Sequence, residues 1–228
     1  MPKCKIQKVR SLLIALFLLP ITCLPAFAHP HVWLDVKADY VIEAGHKFNA
    51  ITITWTFDEF YSAFAVGDFK KQTDGGYAQK DLDSLLKVNL ENLKDPEWHY
   101  FTEVKQNGKM IKFKQAIAGI SSYDEKLGRL TSSFTLPFAT ALVPSDKAPV
   151  QIRIFDPTFY IDLEYVKQSP IQLMGSGHDG CSVKLKTPNA ENVWTHLPKS
   201  AFTGGDGSSG QGFGSYFATT ATLTCPAS

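Results

Sequence analysis

Two histidines stand close together in the stretch Ala28-His29-Pro30-His31-Val32-Trp33. If the chain is cut after Ala28, His29 becomes the first residue, and it then offers an α-amine and an imidazole from one position. His31 adds a second imidazole. Imidazole is the commonest metal ligand in proteins, and such nitrogens suit zinc, nickel, cobalt or copper. The amino-terminal copper arrangement that recruits the backbone nitrogens of residues two and three is blocked here. Pro30 would be residue two, and proline has no N–H to lose. What remains is a chelate of the His29 amine and ring with His31. Ligation needs deprotonated nitrogens, so such a site weakens as the pH falls. Asp156, at a strand end before Pro157, and His178, in His178-Asp179-Gly180-Cys181, are the candidates to complete the metal set. The competing reading of Asp156 is an Asx turn before proline. Asp58, at a strand-to-helix junction, reads first as a helix N-cap.

Other chemistry is thinner. His46, His99 and His196 show no metal-ligand spacing and read as surface residues. Between two helical stretches, Lys70 to Asp81 has the outline of a calcium loop, with Gly75 at the sixth position, Tyr77 at the eighth and Asp81 at the twelfth. Asp74 is the other carboxylate in it. The first position is Lys70 and the third Gln72, where oxygen donors are needed, so the loop is degenerate and calcium binding is not expected. Residues 203–216 are rich in glycine and serine but lack the Lys-Ser/Thr ending of a phosphate loop. No Ser-His-Asp, Cys-His or close carboxylate pair supports hydrolysis, so a non-enzymatic role is favoured.

The elements that must carry these residues begin with an export signal over 1–28. Lys3, Lys5, Lys8 and Arg10 form a positive start, residues 11–19 an apolar core too short for a membrane span, and Ala26-Phe27-Ala28 a small-x-small cleavage pattern. Periplasmic export of a product with no membrane insertion follows. The signal carries four of the 23 basic residues and none of the 22 acidic ones, which leaves a net charge of −3. That balance argues against nucleic acid as a partner. Cys181 and Cys225 are the two cysteines left after cleavage, and in an oxidising compartment they are expected to pair.

Alternation of apolar and polar residues predicts strands. It runs over 32–40 and 51–57, over 100–106 and 109–114 on both sides of Asn107-Gly108, over 127–136 up to a break at Pro137, and over 150–155, 159–165, 182–186 and 216–225. Asn-Gly between two such runs is a hairpin signal. Phe57, Phe60, Tyr61 and Phe64 follow helical spacing and read as core packing, and the leucines of 80–94 follow the same period. The expectation is a single mainly β domain over 29–228. It is an immunoglobulin-like β-sandwich of about eight strands, with a helix-loop-helix inserted near 57–95.

Three blocks, Ala28-His29-Pro30-His31-Val32-Trp33, Trp55-Thr56-Phe57-Asp58-Glu59-Phe60-Tyr61-Ser62 and Phe155-Asp156-Pro157-Thr158-Phe159-Tyr160, together with the Cys181 and Cys225 pair, resemble the DUF1007 proteins. That family is described as the periplasmic component of an uncharacterised ABC-type transport system. Its members are often encoded beside nickel, cobalt or zinc transport genes. The resemblance implies metal handling in the envelope and a membrane permease as partner. Many members carry a more acidic loop where this chain has Lys70 to Asp81. Two alternatives stand beside a metal-binding accessory protein. One is a terminal-His copper enzyme of the monooxygenase type, with His178 or His99 as distal ligand. The other is a metal-free interaction module of a transporter.

Overall fold

A computed structural model describes residues 30–197 and 212–226. The chain is mainly β, with two sheets and three α-helices among these residues. In the first sheet the strand order is β5 (Ile117–Asp124), β6 (Arg129–Leu142), β2 (Lys47–Phe57), β1 (Val32–Glu43) and β8 (Ile161–Tyr165). A further strand, β9 (Ile171–Met174), also pairs with β1. The second sheet has the order β10 (Ser182–Lys186), β11 (Thr220–Thr224), β7 (Val150–Ile154), β3 (Thr102–Gln106) and β4 (Lys109–Met110). The helices are α1 (Glu59–Ala65), α2 (Gln79–Leu93) and α3 (Ala190–His196).

The period-two pattern of β1 explains its place. Val32, Leu34, Val36, Ala38, Tyr40 and Ile42 are buried, while the alternate residues are exposed or half-buried. β1 runs antiparallel to β2, with Val36 opposite Trp55, and its other edge takes β8 and then β9 in parallel. Inward residues of both sheets, among them Tyr40, Ile53 and Phe134 from the first and Val104, Ile152 and Leu223 from the second, belong to one buried cluster. Each such side chain contributes about 1.5–3 kcal/mol by leaving water. On the outward face of the first sheet, threonines pair across strands, Thr52 with Thr135 at 2.8 Å and Thr56 with Thr131 at 3.0 Å.

Several sequence expectations are redrawn. β6 runs through Pro137, because the missing N–H falls beside the register shift between Phe48 and Ala50 on β2, where a proline is tolerated. β3 starts at Thr102 rather than Tyr100. His99, Tyr100 and Phe101 all take left-handed backbone angles, a turn that costs about 1–2 kcal/mol per residue. Burial of Tyr100 and Phe101 offsets that cost. The Asn107-Gly108 hairpin is present, with both residues at positive φ as a type I′ turn requires. The helical segment departs most. Phe57 and Tyr61 stack at 4.8 Å, but Phe60 and Phe64 are 86% and 79% exposed, not core. The inward face of this short helix is taken instead by buried Ser62. Its hydroxyl donates to the Phe57 carbonyl and accepts from the Leu130 N–H.

The degenerate calcium loop forms a tight turn closed by a bridge between Lys71 and Tyr77. Asp74 accepts from the Gly76 N–H at 3.1 Å, and Asp81 sits in the first turn of α2. Lys70, Lys71 and Lys80 share the hollow beside them.

Candidate functional site at the start of β1

The three sequence blocks meet at one end of the first sheet. Val32 opens β1 opposite Ile161, which opens β8, and Leu34 faces Phe57 at the close of β2. His31 is exposed, and its N–H donates to the Tyr160 carbonyl at 2.9 Å. The His31 and Tyr160 rings lie 4.8 Å apart. Two residues on, the Trp33 backbone is locked to Asp58. The Trp33 N–H donates to Asp58 Oδ2 and the Asp58 N–H to the Trp33 carbonyl, each at 2.9 Å. Asp58 Oδ1 accepts from the Tyr61 N–H at 2.8 Å, which is the N-cap role expected from sequence. Burial first, then the nearby Tyr160 and Asp58, raises the Tyr61 phenol above its ordinary value.

Asp156 belongs to this end but not as an open ligand. It is buried, and its carboxylate accepts from the Thr158 N–H and hydroxyl at 2.8 Å and from the Ile161 N–H at 2.9 Å. The Asx-turn reading therefore describes its bonds in this structure. These three donors shape the turn that delivers Ile161 to β1. Gly214 closes directly on the Asp156 carbonyl, where a Cβ would collide. That contact seats the turn Phe213–Tyr216 on the Asp156 loop, and Phe217 stacks on Phe159 at 4.4 Å.

His178 lies elsewhere. The Gly177 N–H donates to the Ile42 carbonyl, at the far end of the 12-residue strand β1. At the usual rise per residue, that is more than about 30 Å from His31. His178 therefore cannot share an ion with His31, and its Nδ1 donates instead to the Gly175 carbonyl at 2.6 Å. His29 lies outside the described residues. His99 is exposed, close to Phe101, whose carbonyl accepts from the Phe155 N–H beside Asp156.

Cys181 and Cys225 form a disulfide, as expected. Among the described residues, the one group of three side chains close enough to share an ion is His46, Cys181 and Cys225, with ligand atoms within 4.8 Å of one another. The two sulfurs are bonded to each other, so they are not thiolate ligands in this form. His46 Nδ1 donates to the Gly177 carbonyl at 2.7 Å. Sequence spacing gave no hint of this histidine beside the disulfide, because β1, β2 and the His178 turn bring it there.

The fold and this end define a mainly β protein whose sequence blocks converge on the entry of its central strand. The DUF1007 model, described as a protein of unknown function, matches residues 13–225, and the chain belongs to that family. It is 26% identical over 187 residues to an uncharacterised protein of Haemophilus influenzae, covering 81% of this chain and 84% of that one. It is 27% identical over 113 residues to an uncharacterised 15.5 kDa protein in the trpE 3′ region of Spirochaeta aurantia, covering 50% of this chain and 76% of that one. No helix among the described residues is long and apolar enough to cross a membrane.

Proposed function

We propose that this is an exported periplasmic accessory protein of a transition-metal transport system. In this reading the two sheets stack as an immunoglobulin-like sandwich, and cleavage after Ala28 frees a nitrogen site made by His29 and His31. Zinc, nickel, cobalt or copper is the metal, and a membrane permease is the partner. One observation carries the reading. His31 is exposed, its ring lies beside that of Tyr160, and its backbone is held on both sides, by Tyr160 before β8 and by the Trp33–Asp58 pair. A ligand on a fixed strand end loses little freedom on binding, which is what a metal site needs from its scaffold. With Asp156 and His178 accounted for otherwise, the chelate rests on His29, its amine and His31. Mass spectrometry of the exported protein, with and without chelator, tests this. The expected species begins at His29 and carries one metal. A protein that begins elsewhere or holds no metal would count against it.

The reading as a metal-free docking module also has an observation of its own. Phe60, Phe64, Trp33 and Leu127 are all exposed at this end of the first sheet. Exposed aromatic side chains of this kind commonly anchor protein interfaces. Loss of permease association on Phe60→Ala and Phe64→Ala, with no metal bound by the native protein, would favour this second reading.

A further inference from the structure

The outward face of the second sheet collects basic residues in register. Glu103, Arg153, Thr220 and Lys186 stand opposite one another across β3, β7, β11 and β10. The neighbouring outward row is Lys105, Gln151, Thr222 and Lys184. The residues between these rows, Val104, Ile152 and Ala221, are buried, which fixes the outward direction of the charged ones. Four cations thus face one carboxylate on a chain whose balance after signal removal is acidic.

That carboxylate is already shared. Glu103 is buried and lies 3.2 Å from Lys105 Nζ and 3.5 Å from an Arg153 terminal nitrogen. Arg153 is held on three sides. Its other terminal nitrogen donates to the Ser215 carbonyl, its guanidinium lies over the Phe155 ring at 4.8 Å, and its side chain is 17% exposed. Burial lowers its pKa, with Glu103 acting in the opposite direction. These groups line a cleft of about 460 Å³ together with Gln151, Lys186 and Thr220. The volume falls within the range of small-molecule sites. A fixed guanidinium with a lysine on either side of a partly desolvated hollow, with one carboxylate between them, favours a ligand with negative charge of its own.

We propose that this cleft binds a small oxyanion of two or more negative charges, a phosphate or a polycarboxylate, with Arg153 as its fixed contact and Lys105 and Lys186 closing on either side. Thr220 and Gln151 supply the neutral hydrogen-bonding floor. The inference is independent of the amino-terminal metal reading, because it uses the other sheet.

Calorimetric titration of the exported protein at low salt with inorganic phosphate and, separately, with citrate tests it. The expected result is saturable binding of at least one anion, with amide NMR shifts centred on Gln151 and Thr220. Lys186→Ala, an exposed change that leaves the core intact, should weaken binding by about tenfold, and Arg153→Gln by more. Lys126→Ala, in the β5–β6 turn, should change nothing. Preference for phosphate or for citrate identifies which oxyanion class the cleft takes. Absence of saturable binding by either anion, or equal affinity in native protein and Lys186→Ala, would overturn the proposal, even if Arg153→Gln failed to fold.

Discussion

Asp156 shows how one sequence position can carry two readings. The position before Pro157 attracts attention as a ligand, and in the fold its carboxylate accepts from Thr158 and Ile161. Replacing it with Ala takes the acceptor from the Thr158 and Ile161 donors at the point where β8 joins β1. Asp156→Ala should therefore cost about 1–3 kcal/mol in chemical denaturation while leaving metal affinity in the folded fraction unchanged. Asp162 behaves differently. It faces Trp33 on β1, with Glu164 beside it opposite Asp35. Burial, and then Glu164, push its carboxyl up to about 6 from an ordinary 3.8. Because the folded pKa is the higher one, the native state holds this proton more tightly. Its contribution to stability is present below pH 3.8 and is lost as the pH rises toward 6. Asp162→Asn should raise the Tm at pH 7, and the gain should vanish at about pH 4. An unchanged Tm at both values would contradict the assignment. This carboxylate could not be singled out from sequence, where it is one polar residue of an alternating strand.

At the scale of elements, β1 and β2 are readable because one face is apolar throughout and the other mostly polar. The strand β5 is not, because its exposed run Ile117-Ala118-Gly119-Ile120 has no alternation. Its burial comes through Ser121, the half-buried Tyr123 and the contact of α2. The four-residue strand β9 and the helix α3 are too short to impose a period. The helix α1 kept its spacing but turned the other face inward. A helical period says which residues share a face, and in seven residues it does not fix which face turns inward. The consequence is measurable. Phe60→Ala with Phe64→Ala should move stability by no more than about 0.5 kcal/mol, as exposed positions do. Phe57→Ala, which removes a buried ring stacked on Tyr61, should cost about 3–5 kcal/mol. Equal losses for the two variants would mean that α1 packs as its spacing first suggested.

Across the whole molecule, β1 runs from the candidate site to the disulfide-bearing end, and its length keeps the two apart. Cys181 and Cys225 flank the paired ends of β10 and β11, with Ser182 opposite Thr224, and close a separation of 44 residues. Their bond should stabilise on the order of 4 kcal/mol in the chain-entropy account, seen as a lower denaturation midpoint after reduction. The amino-terminal site should keep its metal through that change, since it sits at the opposite end. The central claim is that His31 and a freed His29 hold a transition metal together. A metal titration of three mature forms tests it most directly: native, His31→Ala, and one carrying an extra residue before His29. The extension leaves both imidazoles in place and moves the amine out of chelating range. The account predicts tight binding by the native form alone, with marked weakening in the other two. Equal binding by all three would contradict it.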